Sequence, residues 1–312
     1  MLSICCRSVL RDTLGWLRSE HPACQTNFWV ACWWYNEGLM PPPLRHVLRQ
    51  QIKPRLRRLR ETWLAAGCAG DLTKLAVIYR TDKWNLHWYA QHYARHFHPR
   101  RLERLHILEI GVGGYENPRS GGNSLRMWKA YFPHSRIYAI DCYDKRAAQE
   151  GRITIFQGRQ EDAAFLRAVA ARIGRIDLVI DDGSHLNRDV IASFETLFPL
   201  LDEQGIYVVE DTQTSYWTGF GGSSEALEAP TSTMGYFKRL IDGLNYEERL
   251  QPGYQPSYCD RHIVAMHFYH NMVFIMKGRN AEGSNLIRQN TTDLSWVLHG
   301  PDDLLHRTSP PA

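Results

Sequence analysis

The chain has 312 residues and a nearly balanced charge, with 37 basic against 33 acidic residues and a net charge of +4. This length allows one or two domains with a sizeable core. The apolar content of 44% and charged content of 22% are ordinary for a globular protein. The balanced charge argues against nucleic-acid binding, and no apolar run approaches the roughly 20 residues that span a bilayer. We therefore expect neither a nucleic-acid nor a membrane partner.

The seven cysteines do not form a recognisable framework. Their number is odd, and the sequence contains neither a CxxC pair nor a Cys/His cluster with the spacing of a zinc site. A reduced, cytoplasmic setting is more consistent with this pattern than a disulfide-bonded one.

The N-terminal residues 1–39 differ from the rest of the chain. They hold most of the cysteines and a cluster of tryptophans, and Met40 is followed by three prolines, a stiff boundary. We expect 1–39 to be an atypical extension that is disordered or not native, with the natural start near Met40. A chain that begins at Met40 should then keep full activity.

Residues 40–100 are expected to form an N-terminal helical segment. The stretch 44–66 is strongly basic with a helical pattern, which is typical of a solvated amphipathic helix or of oligomer contacts. The stretch 71–98 predicts two helices around Arg80-Thr81-Asp82-Lys83-Trp84, with many aromatic residues interleaved. Those aromatic side chains would pack in the core or line a pocket.

From 105 to 212 the sequence alternates between apolar runs and amphipathic stretches. This alternation predicts an α/β fold, a Rossmann-like doubly wound sheet with helices on both faces. The predicted strands span 105–110, 136–141, 152–156, 176–181 and 205–210, and the predicted helices span 122–132, 160–173 and 187–201. Two apolar runs at 262–268 and 271–277 predict a C-terminal antiparallel hairpin. The sheet should therefore be mostly parallel.

These elements place a main domain at 101–280, with an irregular insertion at 213–260. The insertion is rich in Gly, Ser, Thr and Pro apart from a helical stretch near 232–244. A long irregular segment after a strand that carries functional residues is typical of a lid or a substrate-binding element. The tail 281–312 has no clear pattern and is expected to be partly disordered.

Acidic side chains follow two of the apolar runs where the predicted strands end. Asp182 follows Leu178-Val179-Ile180-Asp181, and Glu210 and Asp211 follow Ile206-Tyr207-Val208-Val209. Because the carboxyl ends of parallel strands line one crevice, we expect these carboxylates to converge at one rim. Oxygen ligands suit Mg²⁺, which keeps several waters and so leaves positions for a substrate diol. The alternative to a metal site is that these strand-end acids cap helices or pair with arginine.

His185 lies three residues after Asp182, at the start of the next predicted helix. From that position it could deprotonate a hydroxyl held by the metal. Such general-base catalysis typically contributes about 10²–10⁴-fold, and a metal lowers the pKa of the hydroxyl further. An ordinary histidine at the start of a helix is the alternative.

A glycine turn, Gly111-x-Gly113, follows the first predicted strand. The dinucleotide fingerprint GxGxxG is incomplete because position 116 is Glu. The turn gains weight from Glu109, which precedes it, and from Asp141, which ends the next strand. A carboxylate at that second strand end would hold a ribose diol, with a strand-end cap as the alternative for Asp141.

Two nearby segments carry further polar side chains. Gly121-Gly122-Asn123-Ser124 opens the following helix, where Ser124 would cap the helix or contact the ligand. The segment 157–162, which includes Gln160 and Asp162, could read an adenine edge, with helix capping by Asp162 as the alternative. Together with the acidic rim, these features predict a metal-assisted transfer reaction on a nucleotide-like cofactor.

The combination of these motifs resembles the antibiotic-sugar O-methyltransferases, such as the macrocin and mycinamicin methyltransferases. The resemblance covers roughly 71–280 and extends to the segment from Tyr79 through Phe97. It rests on Glu109-Ile110-Gly111-Val112-Gly113-Gly114, Gly121-Gly122-Asn123-Ser124-Leu125-Arg126-Met127-Trp128, Asp181-Asp182-Gly183-Ser184-His185 and Val209-Glu210-Asp211-Thr212. The acidic set also resembles the cephalosporin-hydroxylase-like proteins, and residues 1–39 do not match the family pattern.

The resemblance implies a class I methyltransferase that uses S-adenosyl-L-methionine and Mg²⁺, with the methyltransferase domain at 101–280. By motif position it implies His185 as the base and Asp182, Glu210 and Asp211 as metal ligands. It implies that the cofactor lies among Glu109, Gly111, Gly113, Ser124, Asp141, Gln160 and Asp162. The substrate would be a sugar hydroxyl on a glycosylated natural product, and the family favours a homo-oligomer.

Other functions remain open at this point. The same site could methylate a catechol or another non-sugar hydroxyl, since a vicinal phenolic diol suits the metal equally well. The chain could also act as a cephalosporin-hydroxylase-like protein, or as a cofactor-binding module without catalysis, because the fold alone does not decide function.

Overall fold

A computed structural model of the chain describes residues 53–284, 287–288 and 291–292. The predicted extension 1–39 lies outside these residues, as does the basic stretch before residue 53 and most of the tail. The chain divides into two compact units, Met1–Leu64 and Ala65–Ala312. The domain boundaries expected from the sequence stay predictions.

The helices and strands follow one another in the predicted alternating order. The helices are α1 Lys53–Ala66, α2 Leu72–Tyr79, α3 Ala90–Phe97, α4 Asn123–Tyr131, α5 Ala163–Ile173, α6 Asn187–Leu197, α7 Thr233–Ile241 and α8 Tyr258–His262. The strands are β1 His106–Ile110, β2 Arg136–Asp141, β3 Ile153–Gln157, β4 Ile176–Asp181, β5 Leu201–Glu210, β6 Ile263–Tyr269, β7 Met272–Lys277, β8 Ile287–Arg288 and β9 Thr291–Thr292.

The main sheet has seven strands in the order β3-β2-β1-β4-β5-β7-β6. The strands from β3 to β5 pair in parallel, whereas β7 pairs antiparallel with both β5 and β6. This arrangement confirms the predicted α/β sheet, mostly parallel with a C-terminal antiparallel hairpin. The order reverses between β1 and β4, so a crevice opens at their carboxyl ends, where open α/β sheets bind ligands.

Apolar clusters cover both faces of the sheet. One contains the buried Trp128 of α4 and Tyr93 of α3, packed against inward side chains of the central strands. The other contains Phe194 of α6 and Phe237 of α7. Burial on both faces explains why the central strands are nearly continuous apolar runs rather than alternating ones. The sheet is thereby a fixed platform for the side chains at its edge.

The main departure from the predicted elements lies between α6 and β5. The helix expected at 187–201 ends at Leu197, and a short 3₁₀ turn with Pro199 follows, because proline breaks helical hydrogen bonding. The strand expected at 205–210 begins already at Leu201. A register irregularity between Ile176 and Leu178 lets this earlier segment pair with β4.

The helices within 53–284 are too short or too polar to cross a lipid bilayer. The insertion 213–260 contains α7, α8 and several 3₁₀ turns, and the helix expected near 232–244 is α7. The buried Asn187 donates to the carbonyls of Thr214 and Phe220 and accepts from the Thr233 amide. These bonds attach the insertion to the start of α6. Its movement as a lid stays a prediction.

His96 of α3 provides a pH-dependent contact between that helix and the hairpin. Its Nε2 lies 2.9 Å from the Tyr269 hydroxyl, and its ring packs 4.3 Å from the Phe274 ring. Burial, together with the neighbouring His267, lowers the pKa of His96 to about 4. The imidazole is therefore neutral in the fold at pH 7.

We expect His96 to contribute a decrease in the free energy of unfolding as the pH falls from 6.5 towards 4. In this window the unfolded chain takes up a proton at His96 that the folded chain does not. The difference in the free energy of unfolding between the wild type and a His96→Gln variant, measured by urea unfolding, should therefore decrease as the pH falls across this range. The exposed His134→Gln variant is the control and should keep the wild-type slope. An unchanged slope in His96→Gln would contradict this expectation.

Candidate active site at the carboxyl edge of the sheet

A cleft of about 690 Å³ opens at the carboxyl ends of the parallel strands. Its wall includes most of the residues that the sequence predicted for cofactor binding, namely Gly111, Gly113, Ser124, Asp141 and Gln160. Asp182 and His185 line the same cleft. The structure thus brings the glycine turn and the acidic strand end together, as the strand order requires.

The glycine turn is packed directly against the end of β4. Gly111 has a φ of +96°, and a Cβ at this position would lie 2.1 Å from the carbonyl oxygen of Asp182. Gly121 has a φ of +100°, and its Cβ would lie 2.2 Å from the Gly113 carbonyl oxygen. Both positions need glycine, because the positive φ disfavours other residues and because a neighbouring backbone carbonyl occupies the place of a Cβ.

Asp141 ends β2, and its carboxylate accepts hydrogen bonds from two backbone amides of the cleft wall. Its Oδ2 accepts from the Val112 amide at 3.0 Å, and its Oδ1 accepts from the Tyr143 amide at 2.8 Å. The carboxylate therefore acts as the strand-end cap that was the alternative reading, and it also lines the cleft.

Gln160 connects the cofactor side of the cleft to the acidic side. Its amide nitrogen donates to Asp181 at 3.2 Å, and its amide oxygen accepts from the Ser184 backbone at 2.6 Å. Burial raises the pKa of Asp181 to about 6. Gln160 thereby fixes the turn between Asp181 and His185.

The remaining predicted cofactor residues, Glu109 and Asp162, are not among the residues that line the cleft. Asp162 caps α5 by accepting from the Ala164 and Phe165 amides, the alternative that the sequence left open. Glu109 is fully buried and accepts from the Ser124 hydroxyl at 3.0 Å. Burial raises the pKa of Glu109 to about 7, although Lys83 opposes this shift. Ser124 does not cap α4, whose N-cap is Gly122.

Asp182, His185 and Asp211 form a rim cluster whose ligand atoms all lie within 4.8 Å of one another. The Nε2 atom of His185 lies 3.6 Å from Asp211 Oδ2 and 3.9 Å from Asp182 Oδ1. His185 and Asp211 both have a left-handed backbone, with φ of 57° and 54°. Non-glycine residues adopt this region rarely, and such positions concentrate at functional sites.

Glu210 lies beside the rim cluster, but its hydrogen bonds come from buried side chains. Its Oε1 accepts from Lys83 Nζ at 2.6 Å and from the Tyr93 hydroxyl. Lys83 also donates to Asp182 Oδ2 at 2.8 Å. Burial alone would lower the pKa of Lys83, but the surrounding carboxylates outweigh it and hold that pKa well above its usual range. Lys83 is therefore a buried ammonium.

Asp211 is contacted from the segment between α2 and α3. The Tyr89 hydroxyl donates to Asp211 Oδ1 at 2.6 Å, and His87 Nε2 lies 3.8 Å from the same oxygen. The His87 ring is stacked on Tyr89, with centroids 4.7 Å apart. A second histidine thus faces the rim cluster opposite His185.

Sequence reasoning gave no role to Lys83 or His87, and it assigned Tyr89 and Tyr93 to the core or to a pocket wall without pairing them with the carboxylates. These residues lie about 100 positions or more from their carboxylate partners. The sequence signal that could have pointed to them is a lysine among aromatic residues, in a chain that has acidic residues at the ends of several strands. Periodicity alone does not reveal such pairings.

The donor set fits a hard divalent cation. Carboxylate oxygens dominate the rim, and the single imidazole and the absence of cysteine among the described rim residues make a zinc-type N/S site a poor match. The half-buried position of the rim cluster leaves its outer side open to the cleft and to a substrate.

Comparison with protein families gives a match between residues 108–212 and a model described as a methyltransferase domain. The chain is 48% identical over 223 residues to mycinamicin VI 2''-O-methyltransferase of Micromonospora griseorubida, covering 70% of this chain and 56% of that protein. Demethylmacrocin O-methyltransferase of Streptomyces fradiae gives the same identity and coverage.

A third relative matches more of the chain. It is the 8-demethyl-8-alpha-L-rhamnosyl tetracenomycin-C 2'-O-methyltransferase of Streptomyces olivaceus, 39% identical over 265 residues, which are 82% of this chain and 66% of that protein. The chain thus spans between about half and two thirds of the length of the relatives it matches.

Solved structures give a similar result. The chain is similar to the MycE methyltransferase of the mycinamycin biosynthetic pathway, solved in complex with Mg, SAH and mycinamycin VI, with 47% identity and a TM-score of 0.64. That match covers 69% of this chain and 56% of the solved chain. A second MycE structure, with Mg and SAH, gives a TM-score of 0.68 over 77% of this chain and 60% of that one.

We expect Gly111→Ala to lower the free energy of unfolding by about 3 kcal/mol or more, because a strained φ and a backbone collision combine. Gly151→Ala is the matched control, since a Cβ there meets open space. Urea unfolding of both variants checks the expectation. Equal stability of the two variants would show that the glycine turn is not packed against Asp182 as described.

Proposed function

The chain belongs to the family of macrocin- and mycinamicin-type antibiotic-sugar O-methyltransferases, and from this premise we propose that it methylates a sugar hydroxyl of a glycosylated natural product. S-adenosyl-L-methionine would be the methyl donor and Mg²⁺ the metal. The observation that carries the proposal is the rim cluster of Asp182, His185 and Asp211, of which Asp182 and His185 line one cleft together with the glycine turn. This is the arrangement that a metal-dependent transfer from a nucleotide-like cofactor requires.

The cofactor would occupy the part of the cleft lined by Gly111, Gly113, Asp141 and Gln160. The glycines allow a ligand to approach the backbone closely, and Asp141 lies where open α/β sheets hold a ribose. Glu109 and Asp162 would act indirectly, by fixing Ser124 and the start of α5. S-adenosyl-L-methionine supplies an activated methyl group, whereas the protein supplies orientation.

The metal would be held by Asp182, Glu210 and Asp211. Asp182 and Asp211 present oxygens to the rim, and both described hydrogen bonds to Glu210 use its Oε1, so Oε2 is the oxygen proposed as ligand. Mg²⁺ in this position would supply a positive charge that favours ionisation of a substrate hydroxyl. Tyr89 would orient Asp211 through its hydrogen bond.

His185 would accept the proton of the reacting hydroxyl. Its imidazole lies at the cleft, within 4 Å of both rim carboxylates. A sugar hydroxyl is a weak nucleophile at neutral pH, so a base that accepts its proton would accelerate the transfer.

Calorimetric titration tests the cofactor and the metal. We expect S-adenosyl-L-methionine to bind at micromolar concentration while NADH does not, and methyl transfer to a rhamnoside to stop in chelator. Asp211→Asn keeps a residue that tolerates the left-handed backbone and should weaken Mg²⁺ binding by about 10²-fold. Asp202→Asn, at the opposite end of β5, is the control and should bind Mg²⁺ as the wild type does.

Several outcomes would contradict this assignment. Full turnover in the presence of chelator would contradict a role for the metal. A folded protein that does not bind S-adenosyl-L-methionine would contradict the methyltransferase function. Methylation of a catechol but not of glycosides would replace the sugar substrate by a phenolic diol.

The role of His185 is tested with His185→Asn, which also tolerates the left-handed backbone. We expect kcat to decrease by about 10²–10⁴-fold, because the proton acceptor is lost, with an unchanged Kd for S-adenosyl-L-methionine. His87→Asn is measured in parallel, since this second histidine faces the same carboxylate. A near-normal kcat in His185→Asn together with a large decrease in His87→Asn would assign the base to His87 instead.

A further inference from the structure

Lys83 is a fully buried lysine whose position is fixed by carboxylates from adjacent parallel strands. Its side chain has no solvent exposure, and Nζ lies 2.6 Å from Glu210 Oε1, 2.8 Å from Asp182 Oδ2 and 3.7 Å from Glu109 Oε1. These acids belong to β5, to the end of β4 and to β1. The contacts extend across the centre of the sheet at its carboxyl edge.

A buried ammonium is unfavourable unless it is paired and hydrogen-bonded, and the same holds for buried carboxylates. Here each compensates the other, since Glu109 and Glu210 are almost fully buried and Lys83 lies between them. The hydroxyls of Ser124 and Tyr93 donate to the same two carboxylates. The acids at the sheet edge are therefore held in place by a cation that belongs to the chain.

The same carboxylates also serve the proposed metal site, through their other oxygens. Asp182 directs Oδ2 to Lys83, whereas its Oδ1 lies on the side of His185. Glu210 likewise contacts Lys83 through one oxygen. An ammonium and a divalent cation would then share two carboxylates, and two cations that share ligands repel each other.

We propose that Lys83 is a positioning residue, a built-in counter-cation that keeps Asp182 and Glu210 in place without metal and weakens the affinity for Mg²⁺. The proposal rests on the proposed metal role of these acids. Its consequence is a site that is assembled before Mg²⁺ arrives and that exchanges the metal readily. A lysine that served only to fill space would have no effect on metal affinity.

The test is a titration of the Lys83→Met variant of the whole chain with Mg²⁺ alone. Binding is measured by calorimetry, and Tm is measured by thermal unfolding. We expect the metal-free variant to have a lower Tm than the wild type. We expect Mg²⁺ to bind about tenfold or more tightly, because a like charge next to the ligands is gone, and to raise Tm by more than in the wild type. A folded variant with a wild-type Kd for Mg²⁺ would overturn the proposal.

Lys277→Met is the matched control. Lys277 is also buried, but its Nζ donates to the carbonyls of Pro199 and Leu201, near the amino-terminal end of β5. This variant should lose stability while its Kd for Mg²⁺ stays as in the wild type. A tighter Kd in Lys277→Met as well would overturn the specific role of Lys83.

A double variant keeps the test valid if Lys83→Met does not fold. Adding Glu109→Gln replaces a buried acid that has lost its cationic partner by a neutral amide, so the double variant should have a higher Tm than Lys83→Met alone. If Lys83 only fills space, the two substitutions would lower Tm additively. Additive lowering would overturn the proposal, and so would a double variant that also fails to fold. Absence of Mg²⁺ binding by the wild type would instead contradict the proposed metal, while the Tm comparison would still test the counter-cation.

Discussion

The ammonium of Lys83, enclosed by carboxylates at the ends of β1, β4 and β5, is the interaction on which the rest of the site depends. An uncompensated charge at this depth is too unfavourable to persist, so the lysine and the acids have to be placed together. The segment between α2 and α3 is thereby held against the sheet edge. That segment also delivers His87 and Tyr89 to Asp211.

The antiparallel hairpin makes this placement possible. Because β7 pairs with the free side of β5, the strand that carries Glu210 lies inside the sheet rather than at its edge. The turn between β6 and β7 reaches the site as well, since the Asn271 carbonyl accepts from the Thr212 amide and lies 3.3 Å from the Tyr89 hydroxyl. Glu210 and Asp211 are consequently supported from both neighbouring strands.

Much of this architecture could be predicted from the sequence, because apolar runs and glycine turns are local signals. The parallel strands and the hairpin follow from these signals, and so does the convergence of Asp182 and His185 with Asp211 at the strand ends. The start of β5 at Leu201 could not be predicted, since it depends on a register irregularity against β4. The partners of Glu210 could not be predicted either, because Lys83 lies in a distant segment and charge pairing across the fold has no periodicity. The homo-oligomer stays a prediction.

The left-handed backbone at His185 and Asp211 has a consequence for how variation at these positions is interpreted. Asparagine, aspartate, histidine and glycine adopt this conformation more easily than valine, isoleucine or threonine. A randomised library selected only for folding would therefore already be depleted of β-branched residues at both positions. Restricted variability there reports the shape of the chain as well as its chemistry, and only a comparison among residues that share the conformation separates the two.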